Sequence, residues 1–233
     1  MTLRPARRGW HWDFFEKSVP MSTYLVVFVI SDFEFRTARP AQRQLDSLHG
    51  GSTAIRVWSQ KDLINQTQYA LEVTSPMLEF LESYFQVPFP IPKVDLLPVP
   101  DFSYGAMENW GLITFRENSL LIDPETATHD DTTRVEYFIA HELAHQWFGN
   151  LVTMKWWNDL WLNEGFATYI ERLVLDTLSP KYQYGIQHGL AFLGALATDA
   201  MESSHPISAE VDDPNQIREL FDDISYDKGG YCR

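Results

Sequence analysis

The chain has little cysteine and no long apolar run. Cys232 is the only cysteine among its 233 residues. A single thiol excludes an internal disulfide, a cysteine-ligated metal site and an iron–sulfur cluster. The longest apolar run covers residues 25–30, which is far short of the ~20 residues that a membrane-crossing helix needs. The sequence therefore predicts no membrane segment.

Positive charge is also scarce. The chain contains 18 Lys and Arg against 32 Asp and Glu, a net charge of −14. Because nucleic-acid binding depends on cationic contacts with phosphates, we expect no nucleic-acid partner. Apolar residues make up 45% of the chain and aromatic residues 14%, which is enough for a folded core and argues against disorder.

Apolar spacing predicts strands first and helices later. Three segments have the composition of strands: residues 22–35, 54–58 and 111–122. The first of them is expected to be largely buried. Residues 69–85 have helical spacing, and the chain after residue 124 reads as mostly helical, with Thr132 or Thr133 as N-cap and Glu136 completing a capping box. This order of elements predicts an α+β fold.

Residues 141–145 form the motif His-Glu-Leu-Ala-His. On a helix, His141 and His145 lie on one face, one turn apart, and can offer two imidazoles to one zinc ion. Glu142 is turned ~100° from His141, beside the metal, where its carboxylate can accept a proton from a water that the zinc activates. The alternative is an amphipathic helix with two buried histidines, because this short pattern also occurs in unrelated proteins.

A third ligand distinguishes these alternatives. Eighteen residues separate His145 from Glu164, which allows one helix to end and an antiparallel helix to run over about 160–175. Two histidines and one glutamate leave a fourth position open, as in catalytic zinc sites, so we expect one Zn²⁺ per chain. Asp159 is expected to orient a ligand histidine or to cap the second helix, and Glu171 to be solvated or paired.

A glycine turn with one acid precedes the histidine motif. It consists of Gly105, Ala106, Met107, Glu108 and Asn109. Taken alone, this segment reads as a solvated loop. Beside a zinc helix, it suggests an extended edge on which a peptide can lie as an added strand, with Glu108 forming a salt bridge to the free α-amine of that peptide.

Three segments together resemble the zinc aminopeptidases of the membrane alanyl aminopeptidase type, which are gluzincins: GAMENWG at 105–111, HELAHQWFGN at 141–150 and WLNEGFATYIE at 161–171. Weaker likeness extends over nearly the whole chain, at PMSTYL 20–25, SHPI 204–207 and FDDISYDKG 221–229. The resemblance implies the end of an N-terminal β domain over 1–66. A thermolysin-like, mainly helical zinc-peptidase domain then follows over 67–233, truncated at its C-terminal side.

The resemblance also implies roles for individual residues. The implied zinc ligands are His141, His145 and Glu164. Glu142 corresponds to the general base, and Glu108 to the acid that holds the substrate's N-terminus and makes the enzyme an exopeptidase. Tyr226 corresponds to the tyrosine that stabilises the oxyanion, a role that rests on the resemblance alone.

We therefore expect a zinc-dependent aminopeptidase that removes N-terminal residues from peptides with a free N-terminus. Because the chain is short for this family, the alternative is a catalytically inactive truncated form that binds peptides or regulates a partner. An endopeptidase also uses the histidine motif, but Glu108 argues against one.

For the full-length protein, the resemblance implies a plasma-membrane ectodomain or a secretory or extracellular enzyme, with the cytoplasm as the alternative, and a homodimer as a further expectation. The glycosylation sequon that begins at Asn65 favours the secretory pathway.

Overall fold

The computed structural model describes residues 2–5, 10–38 and 53–231. Seven strands are present in these ranges: β1 Thr2–Pro5, β2 His11–Phe14, β3 Glu34–Thr37, β4 Ala54–Ser59, β5 Lys93–Val99, β6 Ala106–Met107 and β7 Leu112–Arg116. Five α-helices accompany them: α1 Gln68–Phe85, α2 His129–His145, α3 Leu160–Leu178, α4 Tyr184–Asp199 and α5 Gly229–Tyr231. This composition confirms the predicted α+β class.

The strands form two sheets. β1 and β2 pair as an antiparallel hairpin, and the other five form one mixed sheet in the order β3-β4-β5-β7-β6. β4, β5 and β7 run parallel, whereas β3 and β6 pair antiparallel at the two edges. Because β6 is an edge strand, one side of its backbone has no strand neighbour among the described residues.

One apolar core joins the five-stranded sheet to the first three helices. The sheet contributes Val57, Leu96, Ile113 and Phe115, and the helices contribute Leu81, Ile139, Leu143 and Val174. β4 alternates between buried and more exposed positions, while most of β5 is buried, as expected for a parallel strand near the middle of a sheet. Strands on both sides of residue 66 share this sheet, and the predicted domain boundary there stays a prediction.

The predicted buried strand over residues 22–35 is wrong. Thr23–Leu25 form a 3₁₀ turn, and only Glu34–Thr37 at the end of the segment are in a strand. Phe28 and Ile30 are 80% and 93% exposed. An apolar run shows that a segment favours burial, but it does not show which partner covers it, and in the described part of the chain these side chains remain exposed.

The other predicted elements agree better with the structure. The strand over 54–58 and the helix over 69–85 are confirmed, and the helix expected over about 160–175 is α3. The strand expected over 111–122 is confirmed only as β7. The chain then makes a 3₁₀ turn, and its buried residues 120–122 pack without joining the sheet.

The predicted cap of α2 is wrong. The helix begins one turn earlier, with Thr128 as N-cap and Asp131 as its reciprocal partner. The Asp131 N–H donates to Thr128 Oγ1 at 3.2 Å, and the Thr128 N–H donates to Asp131 Oδ2 at 2.9 Å. Because the first turn is polar and exposed, the apolar periodicity begins only after it. The predicted cap was therefore placed about one turn too late.

Candidate active site

Two antiparallel helices bring the three predicted metal ligands together. His141 and His145 lie on α2, and Glu164 lies on α3 in the first two turns of that helix. The two Nε2 atoms are 3.0 Å apart, and Glu164 Oε2 lies 3.2 Å from His141 Nε2 and 3.1 Å from His145 Nε2. All three side chains are buried. The structure therefore forms the triad that the spacing predicts.

This triad has the dimensions of a zinc site. Ligand atoms at about 2.0–2.1 Å from a tetrahedral zinc lie roughly 3.3 Å apart, close to the separations in the triad. Burial lowers the pKa of His145, but the charges of Glu164 and Glu108 outweigh burial and raise the pKa to about 9. The negative surroundings thus favour a cation, so the donor set fits Zn²⁺ with one position left open.

A second contact holds each ligand histidine in orientation. His141 Nδ1 donates to Glu171 Oε2 at 3.1 Å, and His145 Nδ1 donates to the main-chain oxygen of Phe148 at 3.0 Å. Since Nδ1 carries the proton in each ring, Nε2 is free to bind a metal. Of the two expectations for Glu171, the paired one is confirmed and the solvated one is wrong; the residue lies two turns after Glu164 on the same face of α3.

Asp159 was expected either to orient a ligand histidine or to cap α3, and the structure does not show it orienting a histidine. It occupies the N-cap position of α3, but its side chain makes no capping hydrogen bond, so the expected capping role is not found either. Its Oδ2 accepts instead from Asn158 Nδ2 at 3.2 Å. Glu171, about three turns inside the helix, makes this contact with His141 instead.

Glu142 lies beside the metal triad. Its side chain is buried, and its Oε2 atom has no hydrogen-bond partner. Burial raises the pKa of Glu142 to about 8, although the charges of His141 and His145 oppose that rise. Its carboxylate lies within 4.8 Å of a ring nitrogen of His145, so an acceptor without a partner stands beside the triad.

Glu108 approaches from the edge of the sheet. It follows β6, and Gln146 and Asn150, from the end of α2 and the turn after it, donate to its main-chain oxygen at 3.3 and 2.9 Å. Its carboxylate, that of Glu142 and a ring nitrogen of His145 lie within 4.8 Å of one another. The structure therefore places this acid in the same site as the metal triad.

The segment around Glu108 is ordered by close contacts, which excludes the solvated loop. Ala106 and Met107 form β6 and pair with β7. A Cβ atom on Gly105 would lie 2.2 Å from the Phe138 ring, so only glycine allows this approach. Asn109 accepts from Thr114 at 2.8 Å. These contacts confirm the extended edge, and peptide binding on it stays a prediction.

Tyr226 comes to the site from the far end of the described chain. It lies on a π-helical turn over Ile224–Lys228, and its ring stacks on that of His141 at 5.8 Å between centroids. Burial raises the pKa of Tyr226 far above its usual value, and Glu164 and Glu108 raise it further. The phenol therefore faces the acidic site as a protonated hydrogen-bond donor.

Tyr24 is a site residue that sequence reasoning missed. Its hydroxyl accepts from Asn163 Nδ2 at 3.0 Å, beside the predicted ligand Glu164. Burial, followed by the charge of Glu108, raises the pKa of Tyr24 above its usual range. Tyr24 lies in the PMSTYL segment, whose likeness to the peptidase family was the available signal.

The fold and the motifs of the site agree with one known peptidase family. Residues 69–232 match the family model described as the Peptidase family M1 domain. The chain therefore belongs to peptidase family M1, which confirms the resemblance found in its motifs.

Curated relatives of the chain carry aminopeptidase names. It is 48% identical over 217 residues to Endoplasmic reticulum aminopeptidase 1 of Homo sapiens, a match that covers 93% of this chain and 22% of the relative. Endoplasmic reticulum aminopeptidase 2 of Bos taurus is 46% identical with the same coverage. Aminopeptidase N of Homo sapiens is 45% identical, with 98% and 23% covered. The chain thus spans less than a quarter of the length of these relatives.

Proposed function

We propose that the chain contains the catalytic centre of a zinc aminopeptidase, which removes N-terminal residues from peptides with a free α-amine. The observation that supports this most directly is the position of Glu108. Its carboxylate lies within 4.8 Å of groups of Glu142 and His145, beside the metal triad. An ionised acid at this place can bind an α-amine. It would then leave room for only one residue on the amino-terminal side of the scissile bond.

His141, His145 and Glu164 would hold the zinc. Bound zinc supplies Lewis-acid polarisation of the scissile carbonyl and lowers the pKa of water to about 7. Glu142 accepts the proton of the attacking water and delivers a proton to the leaving amine. Tyr226 donates a hydrogen bond to the oxygen that develops negative charge, and β6 aligns the substrate backbone as an added strand.

The test is release of a fluorescent amine from a neutral aminoacyl amide by the zinc-loaded 233-residue chain. Glu142→Gln should keep its zinc and lose about 10²–10⁴-fold in kcat, the usual contribution of a general base. Glu79→Gln on the exposed face of α1 serves as the matched control and should match the wild type. Persistent turnover in Glu142→Gln would remove that residue from the mechanism.

Two further results would distinguish an aminopeptidase from an endopeptidase and from an inactive, peptide-binding form. An N-acetylated substrate lacks the free amine, so an aminopeptidase should not cleave it, whereas an endopeptidase should. A folded wild-type chain that binds zinc and peptide amines without cleaving any substrate would favour the inactive, peptide-binding form.

For a protein of the length of these relatives that contains this chain, we propose a location in the secretory pathway. Two relatives carry the endoplasmic reticulum in their names, and Asn65 of the sequon is exposed. No helix in the described residues is long and apolar enough to cross a membrane. Homodimerisation is a separate proposal, which sedimentation of the longer protein would test.

A further inference from the structure

Arg172 contacts the short segment that carries Tyr226. It is buried on α3, and its Nη2 donates to Asp227 Oδ1 at 2.5 Å. Asp227 directly follows Tyr226 in the π-helical turn Ile224–Lys228. The Cζ atom of Arg172 also lies 4.5 Å from the centre of the Tyr231 ring on α5. One side chain of α3 therefore contacts both the turn and the short helix after it.

The contact with Asp227 is a charge-assisted hydrogen bond with little access to water. The side chains of Arg172 and Asp227 are 9% and 22% exposed. Hydrogen bonds between ionised partners are roughly twice as strong as neutral ones. Burial raises the pKa of Asp227, and the charge of Arg172 opposes that rise. The guanidinium thus favours the ionised carboxylate and fixes its direction with a planar, rigid donor group.

The other contacts of this segment leave that role to Arg172. Lys228 Nζ donates to Asp199 Oδ1 at 2.7 Å, which ties the end of the turn to α4 and not to the helix of the metal triad. Within the described residues, Nε and Nη1 of Arg172 are buried and have no hydrogen-bond partner. The hydrogen bonding of the guanidinium is therefore directed at Asp227 and is not shared with a wider polar network.

The direction of the turn decides where the Tyr226 ring lies. That ring stacks on the His141 ring at 5.8 Å between centroids, with 15° between the two planes. Because Asp227 is the next residue in the chain, a shift of its main chain moves Tyr226 as well. A misplacement of about 1 Å in a group that acts in the transition state can cost roughly 100-fold in rate. A tie between Asp227 and α3 therefore bears on the reaction.

We propose that Arg172 is a positioning residue for the oxyanion donor. It ties Asp227 to α3 and so holds the Tyr226 hydroxyl where it can donate to the oxygen that develops negative charge. Since α3 also supplies Glu164, one helix then positions both the phenol and the third metal ligand. This inference rests on the proposed aminopeptidase function, because Tyr226 has its role in that reaction.

The first test compares Arg172→Met with the wild-type 233-residue chain. Methionine keeps an unbranched side chain on α3 and removes the guanidinium. We expect kcat for an aminoacyl amide to fall about tenfold, as part of the 10²–10³-fold that a complete loss of an oxyanion donor costs. KM should change by less than about threefold, because the contact with Tyr226 is made in the transition state. An unchanged kcat overturns the inference.

Two further variants control for charge and folding. Lys61→Met removes one positive charge from a side chain that is 84% exposed, before α1, and should behave as the wild type does. Arg172→Lys keeps the charge without the planar fork, so kcat should lie between those of the wild type and Arg172→Met. If Arg172→Met does not fold, a wild-type kcat in Arg172→Lys overturns the inference in its place.

A double-mutant cycle tests whether Arg172 acts through Tyr226. In the Tyr226→Phe background, adding Arg172→Met should change kcat by less than about twofold, because the hydroxyl that the arginine positions is already absent. A general disturbance of the site would lower the remaining activity by the full tenfold, and that result would overturn the inference. Asp227→Asn weakens the same contact and should lower kcat in the same direction.

Binding measurements give readouts that do not depend on turnover. The phosphonic acid analogue of leucine resembles the tetrahedral transition state and should bind Arg172→Met about tenfold more weakly. Zinc affinity, measured by competition with a chelator, should stay within about twofold of the wild type. If the wild type neither cleaves amides nor binds the phosphonate, the proposed function fails, and this inference with it. If it does both and Arg172→Met matches it, only the role of Arg172 is refuted.

Discussion

At the scale of single residues, the contacts behind the metal ligands determine how well those ligands bind. Glu171 is fully buried, and its Oε2 atom fixes His141 through Nδ1. Its other oxygen lies 3.5 Å from His188 Nε2 on α4. The carboxylate thus lies between the triad and a neighbouring helix, where it can orient the His141 ring for binding a metal.

Glu171→Gln should therefore weaken zinc binding by about 10-fold or more, since loss of such supporting contacts costs roughly 10–100-fold. Competition with a chelator of known affinity measures the dissociation constant directly. Glu79→Gln changes the same charge at an exposed position and should bind zinc as the wild type does. Equal affinities for the two variants would show that Glu171 has no part in metal binding.

Asp95 gives a prediction about pH and stability. It accepts from Arg56 Nε at 2.5 Å and from Trp58 Nε1 at 3.1 Å, and its Oδ2 lies 2.7 Å from Lys93 Nζ. Burial by itself raises the pKa of Asp95, but the hydrogen bond from Arg56 and the charge of Lys93 outweigh it and hold the pKa below its usual value. A carboxyl whose pKa is lowered by folding stabilises the fold when it is ionised.

The stabilisation from Asp95 is complete above the unfolded pKa of about 3.9 and disappears as pH falls through the lower folded value. Asp95→Asn should lower the free energy of unfolding by about 3 kcal/mol at pH 7, and by less at pH 3. Urea unfolding at both pH values measures this, with the exposed Asp62→Asn as control. A deficit of equal size at both pH values would contradict the charge-based explanation.

At the scale of elements, a close approach of backbones places Tyr226. A Cβ atom on Gly165 would lie 2.7 Å from the Gly229 carbonyl carbon and 2.9 Å from its Cα. Gly165 is the residue after Glu164, and Gly229 follows the π-helical turn that contains Tyr226. Glycines on α3 and α5 therefore let Tyr226 and Glu164 lie close together.

Gly165→Ala should separate these two elements. Overpacking of this kind costs about 1–3 kcal/mol, and kcat should fall as well, because the Tyr226 hydroxyl moves away from the metal triad. Thermal unfolding and steady-state kinetics measure the two effects. The control is Gly189→Ala on α4, where nothing lies within 4 Å of the added Cβ and alanine should stabilise the helix by up to about 1 kcal/mol. Identical behaviour of the two variants would refute the argument.

At the scale of the whole molecule, the metal triad joins the two helices at the centre of the fold. α2 packs against both α1 and the sheet, and α3 packs against α2 and α5. A zinc ion bound by His141, His145 and Glu164 would therefore connect parts of the chain that are far apart in sequence, and binding to the native state alone stabilises it.

Removing zinc with a chelator should lower the melting temperature, and adding it back should restore the original value. At a free zinc concentration of 100 times Kd, the stabilisation amounts to about 2.7 kcal/mol. Differential scanning fluorimetry with and without zinc measures the shift. Glu164→Gln loses the charged ligand and should show a much smaller zinc-dependent shift. A shift of equal size in both proteins would mean that zinc acts at another place.

The motifs predicted which side chains come together in the triad because their spacing alone fixes the local geometry. Helical periodicity places His141 and His145 on one face whatever surrounds them, and the length of chain before Glu164 is enough for an antiparallel return. Residue chemistry then indicates a zinc site, since two imidazoles and one carboxylate form a donor set of catalytic zinc. The resemblance to a known family added Glu108 and Tyr226, for which spacing gives no rule.

Tertiary structure alone decided what supports those residues. Tyr24, Glu171 and Gly165 gain their importance from partners on other elements, and no local pattern shows which distant side chain a phenol or carboxylate will meet. The exposed run at 26–30 was misjudged for the same reason, because apolar composition states a preference for burial and not the surface that satisfies it. Local spacing thus determined the ligands, whereas packing between helices and sheet determined how they are oriented.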